Sequence, residues 1–138
     1  LHPASDSTLR VRFFTGTGGS QAVDTANNYR TSMIGFRNDR TSEINQGDSA
    51  DSYMDAFNQN VGDEAYQSFS ANVYLINPSE TTFNKIFHGE FAQVDDNSRI
   101  AHGIVGCRYM STNAITGLRF YMSTGNIDNA IIKLYGIS

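Results

Sequence analysis

The sequence has no tryptophan, one cysteine and two prolines among 138 residues, and only 17% of it is charged. The single cysteine, Cys107, excludes an intrachain disulfide. Its setting in Ile104-Val105-Gly106-Cys107-Arg108-Tyr109-Met110 reads as a small buried strand residue rather than a nucleophile. Lys and Arg number 10 against 14 Asp and Glu, a formal charge of −4, opposite in sign to that of a nucleic-acid binder. No apolar run approaches the ~18 residues that cross a bilayer as a helix, so no membrane partner is expected. The opening residues, Leu1-His2-Pro3-Ala4-Ser5-Asp6-Ser7, lack a basic segment ahead of an apolar one, and no signal peptide is expected. Asn77-Pro78-Ser79 carries the proline that forbids N-glycosylation.

What is present is aromatic and flexible: nine Phe, seven Tyr and twelve Gly, with 39% of the chain hydrophobic. The length suits one domain, 1–138, that buries roughly two-thirds of its unfolded surface. Period-two patterns recur along it. In 8–14, Leu9, Val11 and Phe13 alternate with Arg10 and Arg12, a half-buried strand with a basic outer face. After a polar loop over 15–28, the stretch 29–38 reads as a second strand with Ile34 and Phe36 inward and Gly35 marking a bulge or close contact. Strands follow at 68–77 (Phe69, Ala71, Val73 and Leu75 inward, ended by Pro78), at 81–91 with a bulge, and at 99–110. The last stretch, 114–138, reads as a hairpin around which the chain is organised. Its second strand, 130–137, is apolar on both faces and is expected to lie buried between layers.

With no βαβ alternation, these elements predict an all-β fold, an antiparallel two-sheet sandwich with jelly-roll-like connections. The exception is the long acidic loop 39–64. There Tyr53, Met54, Phe57 and Val61 recur at helical spacing, and Asp51 or Ser52 could cap a short helix. Long loops inside compact domains usually carry function. Tyr53, Met54, Phe57 and Tyr66 are accordingly the candidate partner-binding residues.

The chemistry-bearing patterns are weak. Gly16-Thr17-Gly18-Gly19-Ser20 lacks the Lys-Ser/Thr of a phosphate loop. His2, His88 and His102 have no partner at a metal-ligand spacing, although His88 and Glu90 share a strand face. Asp48, Asp51 and Asp55, or Asp95, Asp96 and Asn97, offer oxygens for calcium without following a known calcium loop. No Gly-x-Ser-x-Gly is present, and fourteen carboxylates permit a glycosidase-like pair anywhere. Neither a catalytic residue, a metal site nor a cofactor is therefore assigned.

The closing residues carry a resemblance. Ile115-Thr116-Gly117-Leu118-Arg119-Phe120, then Ser123-Thr124-Gly125-Asn126, then Lys133-Leu134-Tyr135-Gly136-Ile137 are similar to the C-terminus of a widespread group of tailed-bacteriophage structural proteins. Leu9-Arg10-Val11-Arg12-Phe13, with Asn28-Tyr29 further on, resembles an earlier segment of the same group. The clear match covers about the last twenty-five residues. The resemblance implies a non-enzymatic β-sandwich virion protein, a capsid decoration (cement) protein or a tail or fibre component. Such a protein needs no cofactor. It binds the major capsid protein or other virion proteins on the particle surface and is expected to form a homo-oligomer, a trimer. Members usually carry further strands before the Leu-x-Val-x-Phe strand, so a longer chain is expected. A tail receptor-binding or carbohydrate-binding module is the alternative, using Tyr53 and Tyr66 with nearby Asp and Asn.

Overall fold

The computed structural model describes residues 1–41, 43–55 and 59–136, without the side chains of residues 48 and 49. In chain order the strands are β1 (His2–Pro3), β2 (Leu9–Thr15), β3 (Ala22–Val23), β4 (Tyr29–Arg37), β5 (Ile44–Asp51), β6 (Met54–Asp55), β7 (Phe69–Ile76), β8 (Lys85–Val94), β9 (Ile100–Tyr109), β10 (Ile115–Met122) and β11 (Ile127–Asn129), with one 3-10 turn at Gly18–Ser20. The protein is an all-β sandwich. Five strands form one antiparallel sheet in the order β5-β4-β9-β8-β7, and the facing sheet runs β10-β2-β3, with β6 also pairing β2. A small ribbon of β1 and β11 lies at one side.

The core forms where the inward rows meet. Leu9, Val11 and Phe13 of β2 face Tyr29 and Met33 of β4, Phe87 and Phe91 of β8, and Val105, Cys107 and Tyr109 of β9, all buried. Three of these rings cluster around Phe13, whose centroid lies 4.9 Å from Tyr109 edge-on, 5.5 Å from Tyr29 and 6.2 Å from Phe87. Such pairs add about 0.5–1.5 kcal/mol each beyond the area they bury. The sheets are also tied by a polar contact: the Phe13 N–H donates to the Tyr29 hydroxyl (2.9 Å), which donates to the Asp24 carbonyl (3.2 Å). The Tyr109 hydroxyl donates to the Asp24 carboxylate. Burial pushes the Tyr29 phenol up to about 12 and raises that of Tyr109 as well.

Gly35 is where a close approach was expected, and it is one. A Cβ there would sit 2.7 Å from the His102 carbonyl oxygen, and its partner Gly103 is as crowded by the Ile34 carbonyl, at 2.3 Å. Side chains at this crossing would push β4 and β9 apart.

Three expectations are corrected. Ile34 and Phe36 point outward, because the inward row of β4 is Tyr29, Thr31, Met33, Gly35 and Arg37. The strand is apolar on both faces, and the parity is fixed by Tyr29 in the aromatic cluster and by Arg37 reaching the buried Asp95. The described part of 51–61 holds no helix. Met54 instead pairs with Val11 across β6 and β2, so strand hydrogen bonds replace a one-turn helix whose nucleation is costly. Phe57 lies outside the described residues. Finally, 130–136 is neither a strand nor buried: Ile131 and Leu134 are 84% and 85% exposed. Among the described residues β11 pairs only with the short β1, and no neighbouring strand receives the residues beyond Asn129. Ile137 lies outside the described residues. In addition, β8 pairs with both neighbours in an unbroken register, without the expected bulge, so Ile86 and Phe87 fall on opposite faces by simple alternation.

Candidate interaction face

Alternation that buries one row of each strand exposes the next, and in the five-stranded sheet the outer row is unusually apolar. Ile34 and Phe36 of β4, Tyr74 and Ile76 of β7, Ile86 of β8, and Ile100 and Ile104 of β9 are all between 42% and 59% exposed. Seven side chains at about half exposure present on the order of 500 Å² of apolar surface, at the upper end of the ~300–600 Å² of a typical monomer's largest patch.

The register groups these residues. Ile34 stands opposite Ile104, and Phe36 opposite His102 with ring centroids 6.0 Å apart. Tyr74 stands opposite His88 in a stacked pair at 5.5 Å. Between the two aromatic–histidine pairs, Asn72 donates to Glu90 (3.3 Å), whose strand partner on the other side is Ile104. Two adjoining hollows run along this surface, one of about 570 Å³ beside Tyr74, His88 and Ile104, and one of about 500 Å³ beside Phe36, Ala92 and His102. Glu90 lines both and is the one carboxylate on the outward rows of β4, β7, β8 and β9 among the described residues. This is a shallow groove with apolar walls and a polar centre, suited to recognition by contact.

At the end of this sheet lies a charged network. Asp95, almost fully buried, accepts from the backbone N–H groups of Asn97 and Arg99 (both 2.9 Å) and from the Arg99 guanidinium (2.9 and 2.8 Å). Arg37, also buried, lies 3.6 Å from it and grips Asp39 on its other side. Burial opposes ionisation of Asp95, but the hydrogen bonds from Arg99 and the turn outweigh it and hold its carboxyl below the usual range. The oxygens considered for calcium at Asp95 are thus engaged by N–H donors. Among the described residues no group of three or more His, Cys, Asp or Glu is placed to hold a metal ion. His88 and Glu90 do share the outer face, as the sequence implied.

The described candidate contact residues, Tyr53, Met54 and Tyr66, do not form one site. The ring of Tyr53 lies 4.0 Å from the Arg10 guanidinium, on the outer side of the smaller sheet, where Arg12 and Arg119 also approach Tyr121. Met54 is buried in the core. Tyr66 is 65% exposed, with its hydroxyl 3.2 Å from Ser98 in the β8–β9 turn, and Phe57 is not described. Sequence reasoning misses the larger face because outward apolar residues such as Ile34 and Ile104 look like core. Its available signal is the two-faced apolarity of β4 and β9. Comparison with protein families, with curated proteins and with solved structures finds no match of any of the three kinds.

Proposed function

We propose that this chain is a non-enzymatic structural protein of a tailed-bacteriophage particle, a decoration protein that binds the capsid shell through the outer face of its five-stranded sheet. The observation that carries the reading is that face, a rigid scaffold presenting seven half-exposed large hydrophobic side chains. The resemblance of the closing residues to phage structural proteins gives the class of partner. Many weak contacts of this kind become strong when copies repeat around a shell, since each later contact is effectively intramolecular.

Co-sedimentation with phage heads assembled without decoration protein tests it. The wild type should saturate the heads, and the triple variant Ile34→Ser/Phe36→Ser/Ile104→Ser should bind on the order of 100-fold more weakly, each apolar contact being worth up to about tenfold. All three side chains are already exposed, so the circular dichroism spectrum should not change. A wild type that ignores heads, or a variant that binds as well, refutes the proposal.

A second reading, a glycan-binding module of a tail or fibre, is favoured by one feature: the stacked Tyr74–His88 pair beside hydrogen-bonded Asn72 and Glu90 in the same groove. Aromatic planes next to amide and carboxylate groups suit a sugar ring. Binding to a glycan array that is lost in Tyr74→Ala would select it over the shell.

A further inference from the structure

The outer side of the smaller sheet gathers positive charge in a chain that is acidic as a whole. With Leu9, Val11 and Phe13 inward, Arg10, Arg12 and Phe14 of β2 face outward, and the register sets Arg12 opposite Arg119 and Arg10 opposite Tyr121 of β10. Asp55 of β6 stands opposite Arg10, 3.6 Å from its guanidinium. It is the one carboxylate on the outward rows of β2, β6 and β10 among the described residues, so three cations share one anion. Arg12 and Arg119 are like charges directly opposite on one face, which destabilises a sheet unless an anion joins them. Both guanidinium groups lie against the Tyr121 ring, 5.3 and 5.1 Å from its centroid. Arg12 is held in place by the Ser52 carbonyl (2.9 Å) and hydroxyl (3.3 Å), whereas exposed Arg119 has no hydrogen bond or ion pair among the described residues. The Tyr121 hydroxyl, shielded from solvent beside these charges, also lacks a hydrogen-bond partner.

The opposite charge stands on the loop 62–67, beside the β8–β9 turn. Asp63 and Glu64 are exposed, and exposed Asp6 joins them by accepting the Asp63 N–H (3.1 Å). None of these three carboxylates makes an ion pair among the described residues. The loop is braced from within. Buried Gln67 accepts the Glu64 N–H (2.8 Å) and packs so closely on Gly62 that any Cβ there would run into its amide. The Gly62 N–H donates to the Val94 carbonyl (3.3 Å), and Tyr66, exposed next to the two acids, is pinned through its hydroxyl to Ser98 (3.2 Å).

We infer that this loop of one copy docks on the arginine face of a second copy, with Asp63 and Glu64 seated against Arg12 and Arg119. The occupant is a second copy because the chain itself carries both halves, and within one copy no ion pair of the described residues joins them. A carboxylate between the two guanidinium groups accepts from both, so the repulsion across β2 and β10 becomes attraction to a shared anion. Arg119, tied to nothing, can turn toward that anion and open the Tyr121 hydroxyl to an acceptor. Arg12 and the loop are already fixed in place, so little order has to be created on docking. The contact also brings together Tyr53, whose ring lies under Arg10, and Tyr66, which occupy separate surfaces of one copy. The inference is independent of what the outer face of the five-stranded sheet binds.

Sedimentation equilibrium across a concentration series tests it. A contact made of a few exposed ion pairs is weak, so the wild-type mass should rise above that of one chain toward about 1 mM protein in about 0.02 M salt, and fall back in about 0.5 M salt. Arg119→Glu, on the face, and Asp63→Lys/Glu64→Lys, on the loop, should each weaken association on the order of tenfold, because each reversal turns an attraction into a repulsion. All three side chains are exposed, so both variants should keep the wild-type circular dichroism spectrum. An equimolar mixture of the two should associate again, one supplying an intact loop and the other an intact face. The outer-face variant Ile34→Ser/Phe36→Ser/Ile104→Ser should associate as the wild type does. A wild type that stays monomeric throughout, association that resists salt, a charge-reversed variant that associates like the wild type, or a mixture no stronger than its parts overturns the inference. So does loss of association in the outer-face variant, which would place the contact on the apolar face.

Discussion

Replacing Asp95 by Asn separates the charge of this residue from its shape. In the native protein one carboxylate oxygen accepts the N–H groups of Asn97 and Arg99 at 2.9 Å, shaping the β8–β9 turn. The other accepts two guanidinium contacts from Arg99, at 2.9 and 2.8 Å, and lies 3.6 Å from Arg37. An Asn can keep the first pair of bonds through its carbonyl. Its amide then points N–H donors at guanidinium donors, and Arg37, 8% exposed, loses a counter-charge in the interior. Removing one partner of a buried ion pair costs about 3–5 kcal/mol, and the retained turn bonds and the Arg37–Asp39 contact place this case near the lower end, about 3 kcal/mol. For a domain of this size that is a fall in Tm of about 10 °C. The effect depends on pH in a defined sense. The folded carboxyl lies below its ordinary value of 3.8, so its stabilisation is complete above that pH and is lost as pH falls through the lower, folded value. Urea denaturation of the wild type and Asp95→Asn should show the full gap at pH 7 and a closing gap below pH 4. A gap under about 1 kcal/mol at pH 7, or one that does not change in acid, would show that the network does not hold the turn.

Two further substitutions probe the five-stranded sheet. In Gly89→Ala the added Cβ would meet the Asn72 carbonyl oxygen at 2.1 Å and the Val73 Cα at 2.8 Å. β7 and β8 would have to separate, and chemical denaturation should show a loss of about 2–3 kcal/mol, whereas a neutral change would mean that the strands part freely. Burial pushes the Cys107 thiol up to about 11, so a thiol reagent at pH 8 should leave the native protein untouched and label one equivalent after unfolding. Rapid native labelling would mean that the β4–β9 pairing opens.

The alternation of β2, with Leu9, Val11 and Phe13 inward, and of β7, from Phe69 to Leu75, was legible because Arg10 and Arg12, and Ser70 and Asn72, interrupt the opposite rows. In β4 and β9 both rows are apolar: Met33 against Ile34 and Phe36, Val105 against Ile100 and Ile104. Hydrophobicity there cannot say which row is inside, and the site was hidden for the same reason. The spacing of Tyr53, Met54 and Val61 imitates a helix turn, yet Met54 belongs to a two-residue strand set by its long-range pairing with Val11. The hydrophobic pattern of 130–136 reads as a strand, yet the segment forms none and lies exposed. Whether a strand continues past β11 depends on the length of its distant partner β1, which no local pattern reveals.

A sheet that is apolar on both faces poses a register problem that hydrophobic burial cannot solve. A slip of one residue in β4 would exchange Met33 for Ile34 and Phe36 at almost no cost in buried apolar area. The cost of slipping comes from polar groups that have one correct place. Arg37 would lose Asp95, the Tyr29 hydroxyl would lose the Phe13 N–H and the Asp24 carbonyl, and Gly35 would no longer face Gly103 at the close crossing. The first two would leave a buried charge or donor unmatched, a penalty of about 1–3 kcal/mol per neutral group and more for the guanidinium, and the third would force the strands apart. The interior polar contacts thus select the register, which leaves the outward row free to be apolar without misplacing the strands. The ion-pair network at Asp95 and the hydrophobic groove around Glu90 are on this account two halves of one arrangement, the first deciding which way the strands face and the second lying on the face that results.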